Sequence, residues 1–253
     1  MGSNVKHRLR IAAASLALAL SPLTVAAQPA ATPPQKAITM TAALTSKQAA
    51  IPLIAAATAT SDMPGLRLAL TRGLDAGLTV SEAKEILVHL YAYAGFPRSL
   101  NALGELMKVL DERKQRGIAD APGREPSRPA PLGDALRAIG TQNQTRISGA
   151  PVKGPLFDFA PAINQFLQSH LFGDLFERDN LDWQSRELAT VGALAAAPGL
   201  EAQLRSHMNA SLNVGLTIEQ LRQVAQLLRA SGSEAAAGRA DAALVLRPAV
   251  TGK

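Results

Sequence analysis

Two residues in the stretch RELATVGALAAAPGLEAQLRSH (Arg186 to His207) carry side chains suited to acid–base chemistry, Glu187 near its start and His207 at its end. A carboxylate that orients an imidazole makes a general acid/base. Pro198-Gly199 breaks the run between them. Glu187 lies eleven residues before Pro198 and His207 eight after Gly199. At ~1.5 Å of rise per residue, an antiparallel hairpin puts them about 16 and 12 Å from the turn, within roughly one helical turn of each other. Leu200, Gln203 and His207 share a helical face. The expected cleft therefore holds Glu187, Gln203 and His207, with Leu200 as an apolar wall. Trp183, in the first turn of the Glu187 helix, joins the substrate-binding candidates; its other reading is core or interface packing. The competing view places Arg186 and Glu187 at an oligomer interface, pairs Glu187 with Arg205, and makes His207 a packed histidine.

Other reactive side chains are weighed the same way. Glu85, His89 and Tyr93 follow one another at i, i+4. They could add a second acid/base to the cleft, but the expected role is a helix-surface pair with a tyrosine at an interface. The pattern is not H-E-x-x-H and no third ligand has matching spacing, so no metal is expected. His170 is expected to cap or pack its own helix. Arg98 and Arg178 could hold substrate carboxylates, with ordinary surface charge as the default. YAYAGFP has one glycine and no phosphate-binding pattern after it, so it reads as a helix-to-helix turn and no cofactor is expected. The 253 residues contain no cysteine. Disulfides, thiolate metal sites, iron–sulfur clusters and thiol redox chemistry are excluded.

The elements that must position these groups are helical. Hydrophobic residues make up 47% of the chain and aromatics only 4%, a composition suited to helices packed through small side chains. Thr79 with Glu82, and Thr217 with Gln220, fit the capping box. Ile86, Leu87, Leu90 and Ala94 then recur at helical spacing, as do Leu221, Val224, Ala225 and Leu228. Gly77 and Gly215 sit where a left-handed residue would end a helix. Pro64-Gly65 and Pro198-Gly199 separate helices, Gly95 ends another, and Pro97 can open the next. Arg116–Gly133 reads as a Pro/Gly-rich loop, and DALRAIG as a short helix. FDFAPAINQFLQSHLFGDLF reads as a helix that packs Phe159, Ile163, Phe166 and Leu167 inward. No segment alternates as a strand would, so the fold is all-α.

The chain also repeats itself. GLDAGLTVSEAKEILVHLYAYAG (Gly73–Gly95) aligns without gaps with SLNVGLTIEQLRQVAQLLRASGS (Ser211–Ser233). Upstream, LTSKQAAIPLIAAATA aligns with LDWQSRELATVGALAA after a one-residue difference in length. Each copy reads as one supersecondary unit that buries its apolar face against its twin. The units run over 44–116 and 156–246, joined by a Pro/Gly-rich linker at 117–155, with a tail at 247–253. At the start, KHRLR precedes an apolar stretch and VAA, the pattern of a signal peptide over 1–27. A flexible tether at 28–43 follows. Export to the periplasm or the medium is expected, with no stable membrane span after processing. Three of the charges behind the formal net +6, on Lys6, Arg8 and Arg10, lie in this leader. The remaining basic residues are scattered, which argues against a nucleic-acid partner.

Taken together, GLTVSEAKEILVHLYAYAGFPRSLNAL, HLFGDLFERDNLDWQSRELATVGALAA and LRSHMNASLNVGLTIEQL resemble the carboxymuconolactone decarboxylase family, which includes the AhpD-like alkylhydroperoxidases. The resemblance runs from about Leu44 to Leu244. It implies an AhpD-like helical bundle of two tandem repeats, assembled as a trimer or hexamer. In the peroxidase branch a Glu is followed by Cys-x-x-Cys and then His. Glu187 and His207 match the outer two, while the cysteine positions fall on Leu200 and Gln203, so thiol peroxidase chemistry is excluded. The equivalent positions in the first repeat fall near Ala50 and Ala69, which makes that half structural. The resemblance implies cofactor-free decarboxylation, or related lactone chemistry, on a small cyclic carboxylic acid or lactone, with His207 and Glu187 as the pair. The alternative is a non-catalytic oligomeric scaffold or small-ligand-binding protein of the same fold.

The leader gives a direct expectation. N-terminal sequencing of the exported protein should read from near Gln28, and retention of residues before Ser21 would contradict it.

Overall fold

The computed structural model describes residues 43–245; the expected leader, the tether but for its last residue, and the tail lie outside them. Helices are the only regular elements among the described residues. α1 (Ser46–Thr60) starts from a capping box of Thr45 and Gln48 and stops at Ser61, which is left-handed. α2 (Met63–Asp75) restarts at once, with the Asp62 carboxylate accepting from the Gly65 N–H and Pro64 in its first turn. α3 (Val80–His89) opens with the Thr79/Glu82 box. A one-turn α4 (Tyr91–Ala94) follows, and Gly95 at φ 86° separates it from α5 (Phe96–Gln115). Gly77 and Gly215 take φ of 90° and 100°, values a side chain would strain.

The interval 117–155 is more than a linker. An irregular segment from Gly117 to Leu132 is pinned to the start of α3, where Ala121 and Pro122 carbonyls accept from the Val80 and Ser81 N–H groups. α6 (Gly133–Ser148) then runs for 16 residues, well beyond the short helix expected from DALRAIG.

The next segment corrects the sequence reading. Pro155 and Pro161 split it into α7 (Pro155–Phe159) and α8 (Pro161–Phe166), followed by a nine-residue π-helical stretch, Leu167–Leu175. Phe159 is 89% exposed, Ile163 and Phe166 are also exposed, and Leu167 alone of the four packs against a core. The wider π turn changes the phase of the side chains. Leu171, Phe172 and Leu175 therefore take the inward positions instead. α6 lies on this stretch, with Gly140 fitted against the Gln168 carbonyl and the Asn143 amide donating to the Phe172 carbonyl at 2.9 Å.

α9 (Trp183–Ala196) is the axis of the fold. It is buried continuously from Ser185 to Ala196, because α1, α3, α4, α10 (Glu201–Asn213), α11 (Ile218–Ala230) and α12 (Glu234–Val245) all pack around it. α11 opens on the Thr217/Gln220 capping box. α1 crosses α9 at close range. A Cβ added at Gly192 would stand 2.6 Å from the Pro52 Cα, so only glycine lets the two backbones meet. Replacing Gly192 with Ala should destabilise the chain by about 1–3 kcal/mol. Urea unfolding checks this, and an unchanged midpoint would show that the crossing relaxes freely.

Candidate functional site

Glu187 sits one turn into α9 and His207 midway along α10. The Pro198-Gly199 break, with Gly199 at φ 84°, folds α10 back beside α9. His207 Nδ1 lies 2.8 Å from Glu187 Oε2. Glu187 has no exposed surface, whereas the His207 side chain is 17% exposed. The carboxylate therefore holds the inner face of the ring, and the second ring nitrogen is left for the partly open side. Glu187 Oε1 is buried without a hydrogen-bond partner among the described residues, so it can accept one more bond.

The first half of the chain completes the surroundings. The Tyr93 ring stands edge-on to His207, with centroids 5.3 Å apart. Its hydroxyl is buried. Burial, reinforced by the Glu187 charge, pushes its pKa far above the ordinary tyrosine value, so it stays a donor. His89 stacks obliquely on Tyr93 at 5.2 Å, and its Nε2 lies 2.9 Å from the Thr190 hydroxyl. Thr190 donates its own hydrogen to the Arg186 carbonyl at 3.0 Å, so His89 Nε2–H donates and Nδ1 carries the lone pair. Burial, and then the Arg186 charge, hold the His89 pKa well below the ordinary value and keep the ring neutral.

This overturns the expectation of a surface pair at Glu85 and His89. Ser81, Glu85 and His89 form an inward stripe of α3, buried because α3 packs between α5 and α9. The charge that makes the stripe soluble in the interior is Arg186, which is 0% exposed. Its Nη2 donates to Glu85 Oε1 at 2.9 Å and to the Arg178 carbonyl at 2.6 Å. Arg178 grips the same carboxylate through Nε and Nη2 at 2.9–3.0 Å, so it is not an ordinary surface charge. Burial opposes ionisation of Glu85, but the hydrogen bonds from Arg178 and the charge of Arg186 outweigh it, and its pKa falls below the ordinary 4.5.

The remaining candidates are placed as follows. Arg186 and Glu187 lie inside the subunit, so the interface reading for them fails, and Arg205 is exposed and forms no ion pair with Glu187. Gln203 is exposed one turn before His207, and Leu200 is half-buried against the main core at the start of α10. Trp183 packs edge-on to Phe176 at 5.8 Å, under Arg146, and donates its Nε1–H to the Phe176 carbonyl at 3.2 Å. These are packing contacts. His170 pairs with Asp174 at 2.7 Å on its own helix. Arg98 is exposed and donates to the Ala94 carbonyl. Sequence reasoning had no signal for Thr190. The signal for a buried Arg186 was its place on a helix otherwise free of charge beyond Glu187. Among the described residues no group of three or more His, Asp or Glu side chains is placed to hold a metal ion.

Glu85 generates a prediction about stability. Glu85 binds its proton less readily in the folded chain than in the unfolded one, so its contribution is fully present above about pH 4.5. It is lost as pH falls through the lower folded-state value. Glu85→Gln should cost about 3–5 kcal/mol at pH 7, because Arg186 is left buried without its counter-charge. The deficit should shrink toward pH 3. Urea unfolding across that range checks it, and a deficit independent of pH would contradict the assignment.

No curated protein matches the chain. Residues 161–245, which span both Glu187 and His207, match the model of the Carboxymuconolactone decarboxylase family. That match and the all-helical fold around the pair identify this part of the chain as a domain of the carboxymuconolactone decarboxylase family.

Proposed function

We propose that this chain is an exported, cofactor-free enzyme that uses His207 as general acid/base and Glu187 as the group that orients it. Its substrate is a small cyclic carboxylic acid or lactone, handled by decarboxylation or a related lactone reaction. The observation that carries the reading is the 2.8 Å contact between a sealed carboxylate and a partly exposed imidazole. A buried carboxylate on Nδ1 fixes both the ring orientation and its tautomer.

In the decarboxylation the bond from the ring carbon to the carboxylate carbon breaks and CO2 leaves. Its electron pair passes into a dienolate conjugated with the lactone carbonyl. Protonated His207 then delivers the Nε2 proton to carbon, retaining its Nδ1–H on Glu187, and is reprotonated from water. The developing oxyanion needs a donor at the open side of the site, and Gln203, one turn before His207, is suited to it. Leu200 supplies an apolar flank, while the packing of Trp183 argues for a role in holding α9 rather than in touching substrate.

Self-association as a trimer or hexamer belongs to the same proposal. It is supported by large apolar side chains exposed on the surface, including Phe159, Phe166, Phe96 and Leu100.

The test is a screen of lactones and unsaturated carboxylic acids with CO2 release and ring opening both followed. On any accepted substrate, His207→Ala should lower turnover by about 10²–10⁴-fold. Glu187→Gln should lower it by a smaller factor, since the imidazole remains. Unchanged turnover in His207→Ala would remove the assignment.

A further inference from the structure

Away from Glu187 and His207, a cavity of about 540 Å³ opens between α1, α2, the end of α9 and the turn from α11 to α12. Its lining can be set against the Glu187–His207 site through the sequence alignment of the two halves. The register that carries Gly77 onto Gly215 sets Ala69 where His207 stands, Leu227 where His89 stands and Ser231 where Tyr93 stands. The upstream alignment sets Ala50 for Glu187 and Leu53 for Thr190. Leu53, Ala69 and Ser231 all line the cavity, with Ala57, Ala196 and Ala230. Where one half of the chain fills the space with an imidazole and a phenol, the other has a methyl group and a hydroxymethyl group, and the space stays open. Along α9, Ala196 is nine residues from Glu187, about 13 Å at helical rise. The two places are separate.

We propose that this cavity is a second small-molecule site, which takes an organic monocarboxylate with an apolar body of about one ring. The volume lies within the range of small-molecule pockets. Alanines with Leu53 and Leu68 offer apolar contact, and the hydroxyls of Thr60, Ser231 and Ser233 share the lining. The charge at the rim chooses the ligand. Arg72 is exposed and forms no ion pair among the described residues. Arg239 donates Nε and Nη2 to the Ala195 and Ala196 carbonyls at 2.7 and 3.1 Å, which fixes the guanidinium and leaves Nη1 unspent. Of the acidic residues on the same rim, Asp62 caps α2 by accepting from the Gly65 N–H at 3.0 Å, and Glu234 pairs with Arg229 at 3.0 Å. A carboxylate entering with its apolar end inward would meet Arg72, which forms no ion pair among the described residues, and the Nη1 of Arg239.

The site is independent of the acid–base reading, and so is its test. The full chain, labelled with ¹³C at alanine methyl groups, is titrated with 3-phenylpropanoate and, separately, with the neutral 3-phenylpropanamide. The methyl signals of Ala57, Ala69 and Ala196 should shift saturably with the acid, and the amide should bind about tenfold or more weakly. Arg72→Ala should weaken binding of the acid and leave the amide's affinity unchanged. Ala230→Phe, on an exposed position at the wall, should block both, while His207→Ala should leave both unchanged. Absence of saturable shifts at those methyl groups, or equal affinity for acid and amide, would overturn the proposal.

Discussion

A carboxylate with no contact with water is tolerated only beside a partner that offers a proton or a charge, because desolvating a lone anion costs several kcal/mol. Glu187 is such a carboxylate, and its partner is His207. The arrangement of the second half of the chain follows from that need. α9 must lie deep enough to seal residue 187, and α10 must return beside it at a height that brings residue 207 level. The left-handed Gly199 makes the return possible. The ring cannot be sealed as well, because α10 keeps its other face toward solvent. One nitrogen is thus committed to the interior and the other is presented outward.

The buried charges beside the pair obey the same rule. Arg186 and Glu187 are neighbours in sequence, so the helical turn points them in different directions from the same axis. Arg186 reaches Glu85 on α3, and Glu187 reaches His207 on α10. Each half of the chain thereby supplies a counter-charge or a wall for the other, with Tyr93 and His89 packed behind the site from the first half. Arg178 doubles the grip on Glu85, and burial lowers the proton affinity of the Arg186 guanidinium. Ala50 and Ala69, which the sequence alignment sets opposite Glu187 and His207, carry no charge and need no partner.

Much of this could be read before any coordinates. The capping boxes at Thr79 and Thr217 fixed two helix starts, because a local hydrogen-bond pattern leaves a local sequence pattern. Counting residues on either side of Pro198-Gly199 brought Glu187 within about one helical turn of His207, which permitted their contact. The depth of α3 could not be read that way. Its inward stripe contains Glu85 and His89, residues that look like a solvated face unless Arg186 is known to lie opposite. The exposure of Phe159, Ile163 and Phe166 was likewise hidden, since two prolines and a π-helical stretch changed the phase of an apparently regular apolar pattern.

The account rests on Glu187 holding the inner nitrogen of His207 so that the outer one faces the open side. The most direct measurement is the ¹⁵N spectrum of the His207 ring in the full chain. The account predicts that the neutral ring carries its hydrogen on Nδ1, with Nε2 showing the shift of an unprotonated nitrogen, and that Glu187→Gln disturbs this preference. A neutral ring protonated on Nε2, in the wild-type chain, would contradict it.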